Sequence, residues 1–378
     1  MSNTVINIKD NGTTTLATSG KYCDRNIDVV VEVAGGGGGG ASLPTELDLI
    51  NGAYWASYGV WDWYLEAVPH LDITVSSYGD CRYMFSQCKL TDLSHIHVTT
   101  EADTNTNYLF QGCTNLEVLP TIVWKYSVNL FGSDYIGYMF AACYNLRNIP
   151  ADFFKMTDEN GNKTDEFRFS GKQGNGTDVF NGCYSLRKLP DLPKTWYFNN
   201  QQNVYKDCYV LDELTNIPVT TYTLTSNKFS STFDGCARAK NVTFALNNGA
   251  PRAVNWKNQV LDMTQLGYVT EVYYSSYVTE YNSGITADKK VTPGIKEQGY
   301  NDLKNDPDWW TTDAAYSRYN HDSAVATINS LPDTSAYGTN TIKFTGAAGA
   351  NTDGGAINTL TNAEIAVATA KGWTVTLV

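Results

Sequence analysis

Tyr83-Met84-Phe85-Ser86-Gln87-Cys88 is the stretch that decides the fold, because its pattern of an aromatic residue with a cysteine three positions later returns five more times. The aromatic and cysteine pairs are Phe85 and Cys88, Phe110 and Cys113, Phe140 and Cys143, Phe180 and Cys183, Tyr205 and Cys208, and Phe233 and Cys236. A second half follows each cysteine: Leu116 and Leu119-Pro120 after Cys113, Leu146 and Ile149-Pro150 after Cys143, Leu186 and Leu189-Pro190 after Cys183. It loosens at the ends, with Leu90 and Leu93 in the first copy, a proline delayed to Pro218 in the fifth, and Ala239 and Val242 in the sixth. A spacing of three through the aromatic and the cysteine predicts a helical or 3₁₀ turn with one inward face, and the apolar pair near the proline predicts a short strand.

A unit of this size cannot bury its apolar face alone, so consecutive units are expected to stack and share one continuous core. The expected fold class is a repeat solenoid of short strands and helical or 3₁₀ turns, with a small N-terminal β module and an inserted C-terminal lobe. The Phe-x-x-Cys-x-x-Leu-x-x-Leu/Ile-Pro pattern resembles the BspA-like class of leucine-rich repeats, known from bacterial surface adhesins and from proteins of bacteriophages. The likeness covers roughly residues 71 to 250. It implies a strand-lined scaffold used for binding and brings no catalytic residues with it.

Four segments are expected. Residues 1–34 hold Val5-Ile6-Asn7-Ile8, a turn at Asn11-Gly12 and the alternating run Ile27 to Val33, which read as a β attachment module resembling one found at the start of phage structural proteins. Residues 35–42 carry six consecutive glycines, Gly35 to Gly40, a flexible tether. Residues 43–250 form the repeats, opened by an aromatic cap (Tyr54, Trp55, Tyr58, Trp61, Trp63, Tyr64) and a first strand at Leu71 to Val75. Residues 251–378 contain a lobe at 268–319 and two terminal units, with a helix from Asp322 to Ser330 capped by Asp322, a strand at Thr341 to Thr345, a capping box at Thr361-x-x-Glu364, and a strand at Trp373 to Leu377.

A net charge of −12 opposes a nucleic-acid backbone or an anionic membrane as partner. The N-terminus lacks the basic and apolar run of a signal peptide, and no stretch has the length of a membrane span. Six of the eight cysteines share one phase of the repeat, at gaps of 25, 30, 40, 25 and 28 residues, so they read as buried thiols and not as disulfides or zinc ligands. Cys23 and Cys81 lie off that phase. His95 and His97 would share one face of an extended segment, but no ligand sits near them at metal-site spacing, so no metal or other cofactor is expected. No nucleophile elbow, phosphate loop or dinucleotide fingerprint occurs. The acids Asp158, Glu159, Asp165, Glu166, Asp306 and Asp308 leave a glycan-cleaving enzyme as an alternative, since such cleavage needs only two carboxyls.

The expected function is that of a non-enzymatic phage structural adhesin, a tail fibre or similar virion protein, which binds a bacterial surface glycan or protein and joins other virion proteins through its N-terminal module, with homo-oligomers possible. A bacterial or prophage-encoded surface adhesin and a depolymerase are the alternatives. The 25 tyrosines and 9 tryptophans provide rigid contact area. The binding residues are expected in inserted loops: Trp124, Tyr126, Trp196, Tyr197, Tyr273, Tyr274, Trp309 and Trp310.

Overall fold

The structure is a computed structural model that describes residues 5–10, 14–19, 46–49, 65–66, 69–75, 81–100, 106–125, 136–167, 176–192, 201–209, 211–218, 229–236, 239, 241–245, 257–264, 266, 268–269, 316–317, 319–344 and 360–378. The cap aromatics from Tyr54 to Tyr64, the run Ile27 to Val33 and most of the 268–319 lobe lie outside them.

The repeat motif forms a run of tight turns in which alternate residues divide their hydrogen bonds between two partners. Met84, Ser86 and Cys88 donate their N–H within the turn, to the carbonyls of Cys81, Tyr83 and Phe85. Tyr83, Phe85 and Gln87 donate instead to the next copy, at the carbonyls of Asn107, Leu109 and Gln111. The same exchange links Phe110 to Met139, Phe140 to Val179, Phe180 to Val204 and Tyr205 to Thr232, so every copy is held to its successor along the backbone. The bonds within the turn span three residues, but the segment does not run on as the helical or 3₁₀ turn expected from the spacing, because two residues in each copy are left-handed. Tyr83, Tyr108, Tyr138, Asp178, Asn203 and Ser231 occupy the first such position, and Gln87, Gly112, Ala142, Gly182, Asp207 and Gly235 the second. A left-handed residue breaks helical propagation and turns the N–H of every second residue toward the neighbouring copy.

The side chains stack in register with the backbone. Phe85, Phe110, Phe140, Phe180, Tyr205 and Phe233 form an unbroken ladder of near-parallel rings, with centroids 5.4 to 6.1 Å apart. All six are buried. Beside them run the repeat cysteines. Each thiol from Cys113 onward donates to the carbonyl of the aromatic residue one copy earlier: Cys113 to Phe85, Cys143 to Phe110, Cys183 to Phe140, Cys208 to Phe180 and Cys236 to Tyr205, at 2.8 to 3.2 Å. Burial pushes the thiols of Cys143, Cys183, Cys208 and Cys236 above their ordinary range, which keeps the proton they donate. Among the described residues, seven cysteines, Cys81 included, are buried thiols outside any disulfide.

The strands are β1 (Val5–Asp10), β2 (Thr14–Ser19), β3 (Glu46–Leu49), β4 (Leu71–Val75), β5 (Ile96–Thr100), β6 (Thr121–Lys125), β7 (Lys155–Thr157) and β8 (Lys163–Phe167), and they join one sheet in the order β2-β1-β3-β4-β5-β6-β7-β8. The pairs from β3 to β7 are parallel, and an antiparallel hairpin closes each edge. β1 pairs antiparallel with β3 from Ile6↔Leu49 to Lys9↔Glu46, so the N-terminal hairpin adds two strands to the sheet. An unpaired edge strand offers a row of free backbone groups, and a nearby hairpin satisfies them. At the apolar pairs near the prolines, isolated parallel bridges join Asp92 to Val118 and Asn148 to Lys188, and β6 itself begins after Pro120. The backbone nitrogen of Pro120 has no hydrogen to give to a ladder.

β9 (Glu213–Pro218) and β10 (Asn241–Ala245) pair parallel with each other. The C-terminal region holds β11 (Val260–Asp262), β12 (Tyr268–Val269), β13 (Tyr316–Ser317), α1 (His321–Ser330), β14 (Asn340–Phe344), α2 (Asn362–Ala370) and β15 (Trp373–Leu377). β11, β14 and β15 form a parallel sheet, and β12 pairs antiparallel with β13, which brings the two ends of the lobe together. α1 joins this part to the repeats, since Thr327 Oγ1 donates to the Val242 carbonyl and Phe244 N donates to Ser330 Oγ. Asn320 caps α1 by accepting from Ser323 N, in place of the expected Asp322, which lies within the first turn. α2 opens with the capping box of Thr361 and Glu364. Among the described residues, no helix is long and apolar enough to cross a membrane.

Candidate functional site

The repeat turns carry two further rows of rings, half-buried except for Tyr209, which is buried. Tyr83, Tyr108 and Tyr138 stack at 4.6 and 4.8 Å, and Tyr144, Tyr184 and Tyr209 at 4.5 and 5.2 Å. The first row occupies the left-handed position two residues before the core aromatic, and the second directly follows the repeat cysteine. Left-handed backbone at a tyrosine costs about 1 kcal/mol or more, so the stacked neighbour helps to offset the strain. Burial, followed by the nearby charge of Asp178, raises the hydroxyl of Tyr138 above the ordinary phenol range, so the group stays neutral and able to donate. Tyr209, the most buried of its row, donates its hydroxyl to Asp207 at 3.2 Å. A rigid ring with a polar tip, held by its neighbours, has little entropy left to lose when it meets a ligand.

The outward face of the sheet is the second accessible feature. β4 alternates with Leu71, Ile73 and Val75 inward, leaving Asp72 and Thr74 outward; β5 turns Ile96, Val98 and Thr100 inward and His97 and Thr99 outward. Register aligns Asp72 with His97 and His97 with Thr121. His70, next to the start of β4, approaches the same point: its Nε2 is 3.0 Å from Asp72 Oδ2, and His97 Nδ1 is 3.6 Å from Asp72 Oδ1. The histidine pair expected from sequence, His95 with His97, is therefore not the one that converges. His95 Nε2 instead lies 2.6 Å from the Leu65 carbonyl.

Of the aromatic residues expected to bind, Trp124 is corrected: it is fully buried in β6, packs edge-on against Phe153 and donates its indole N–H to the Phe153 carbonyl. The alternation of β6 turns Ile122 and Trp124 to the core, so the residue belongs to a strand and not to an insertion. Tyr126, Trp196, Tyr197, Tyr273, Tyr274, Trp309 and Trp310 lie outside the described residues, as do Cys23, Asp306 and Asp308. Asp158 accepts backbone N–H bonds from Asn162 and Asn160, which hold its carboxyl below the usual range. An acid so stabilised stays ionised and is a poor proton donor for glycoside cleavage. Asp165 is fully exposed and lies 3.7 Å from Lys155.

The tyrosine rows were overlooked in the sequence although their signal was present. Tyr83, Tyr108 and Tyr138 recur at one phase, as do Tyr144, Tyr184 and Tyr209, and a polar-tipped residue recurring off the core phase marks a surface row. Comparison of the chain with protein-family models, curated proteins and solved structures finds no match.

Proposed function

We propose that the chain is a structural adhesin of a bacteriophage particle, a tail fibre or similar component, whose stacked repeats form a solenoid that binds a bacterial surface glycan or protein. The observation that carries this reading is the pair of stacked tyrosine rows along the repeat turns, in which Tyr83, Tyr108, Tyr138, Tyr144 and Tyr184 are half-buried and Tyr209 closes the second row from within. Repeated aromatic edges with hydroxyl tips suit a repetitive, hydroxyl-rich ligand, offering apolar contact and hydrogen bonds at each step. The net charge of −12 favours a neutral or cation-bridged target over a bare polyanion. The N-terminal segment supplies attachment to the particle, and Tyr126, Trp196, Tyr197, Tyr273, Tyr274, Trp309 and Trp310 are proposed as further contacts.

The test has two arms. Immunogold labelling of phage particles with an antibody against the chain should decorate one site on the virion. The purified, labelled chain should be retained on host cells and lost when surface glycan is oxidised with periodate or surface protein is shaved with protease, which separates the two receptor classes. Tyr108→Phe combined with Tyr184→Phe keeps both stacks but removes the hydroxyls, and should weaken retention without changing melting. Absence from particles together with no retention on any host cell overturns the proposal, and release of reducing ends from host capsule would replace it with the depolymerase reading.

A further inference from the structure

We propose that His70, Asp72 and His97 form a binding site for a borderline divalent cation of the zinc type on the outward face of the sheet. Two adjacent parallel strands set up the site. Asp72 of β4 faces His97 of β5 in the register, and His70 lies two residues before Asp72, on the same side of the extended chain. One ligand atom from each of the three side chains falls within 4.8 Å of the other two. His70 Nε2 lies 3.0 Å from one Asp72 oxygen and His97 Nδ1 lies 3.6 Å from the other, both near the roughly 3.3–3.4 Å between ligand atoms in a tetrahedral zinc site with bonds near 2.0–2.1 Å, so the carboxylate would turn one or both oxygens to the ion. The imidazole rings of His70 and His97 meet edge to face with centroids 4.7 Å apart, which holds the two side chains side by side.

The donor set selects the ion. Two imidazole nitrogens and one carboxylate oxygen suit zinc, cobalt, nickel or copper, whereas calcium and magnesium require mostly oxygen. Three protein ligands leave a fourth position for water or for an oxygen of a bound ligand, the pattern of an open zinc site and not a closed structural one. The three side chains are 46, 55 and 47 % exposed, so an external ligand can reach that position. A net charge of −12 adds a favourable field for any cation. In the metal-free protein the same three groups form a half-exposed cluster around the Asp72 carboxylate, and a metal would replace those contacts with coordination bonds.

Equilibrium dialysis of the untagged full chain, stripped with chelator and then exposed to zinc or cobalt at pH 7.5, tests the proposal. About one equivalent should be retained, and the cobalt form should show the visible absorption of a low-coordinate nitrogen and oxygen site. His97→Ala, His70→Ala and Asp72→Asn should each lower the affinity by more than about tenfold. Because the side chains are exposed, circular dichroism and melting of the metal-free variants should match the parent, so loss of metal cannot be put down to loss of fold. No retained metal in the parent, or retention unchanged in the His70→Ala/His97→Ala double variant, overturns the site. Neither result bears on retention at host cells, so the two proposals fail separately.

Discussion

The thiol of Cys143 donates to the carbonyl oxygen of Phe110, one copy earlier in the chain, at 3.1 Å, and that oxygen also accepts the N–H of Cys113. A single atom thus ties the turn of one copy to the side chain of the next, and the arrangement recurs at Phe85, Phe140, Phe180 and Tyr205. Cysteine suits this position because it is small enough for the space beside the ring ladder and still carries a weak donor.

Cys143→Ala removes that donor and leaves a small void, and should cost about 1–2 kcal/mol. Cys143→Val adds volume without a donor and should cost more through overpacking. Urea midpoints check both. In the native chain the buried thiols should resist alkylation, because the thiolate is the reactive form and burial opposes it. Rapid labelling of Cys143 or Cys208 in the folded protein would show that the turns open.

Trp124→Ala should lower stability by about 3–5 kcal/mol while sparing binding in the folded fraction, as expected for a large ring removed from a closed interior. Phe140→Ala should behave alike. A variant at Trp124 with parental melting and reduced cell retention would return the residue to the binding face.

His321 links α1 to α2 through Glu364, at 3.2 Å. Its hydrogen bond to Glu364 raises the imidazole above its ordinary value, so the stabilisation is complete below about pH 6.5 and fades as pH rises through the raised value. The Thr361 N–H, and secondarily His321, lower the Glu364 carboxyl, so its share is complete above about pH 4.3 and is lost as pH falls through the lowered value. The melting difference between the parent and Glu364→Gln, which retains a side chain able to complete the capping box, should therefore be largest between these limits and shrink toward pH 8. A gap independent of pH would remove His321 from the interaction.

A chain beginning at Ser42 lacks β1 and β2, which leaves one edge of β3 open. Hydrogen exchange should show lost protection at Glu46 to Leu49, with the main unfolding transition little changed, because the ring ladder begins only at Phe85. Equal protection with and without the hairpin would show that the N-terminal segment stands apart from the sheet.

The sequence by itself determined the phase of the repeat. Phe85, Phe110 and Phe140 recur three residues before a cysteine, and local spacing of that kind directly encodes which side chains point inward. The capping box at Thr361 and Glu364 and the strand Trp373–Leu377 were legible for the same reason, since caps and alternation act within a few residues. Tertiary structure decided what depends on neighbours a full copy away. The left-handed turns, with alternate N–H groups passing to the next copy, follow from stacking, and spacing alone could not tell them from a helix. The burial of Trp124 was set by the side of β6 that met Phe153. The meeting of His70 and Asp72 with His97 was set by the register of β4 on β5, since a shift of one residue would have turned His97 to the other face of the sheet.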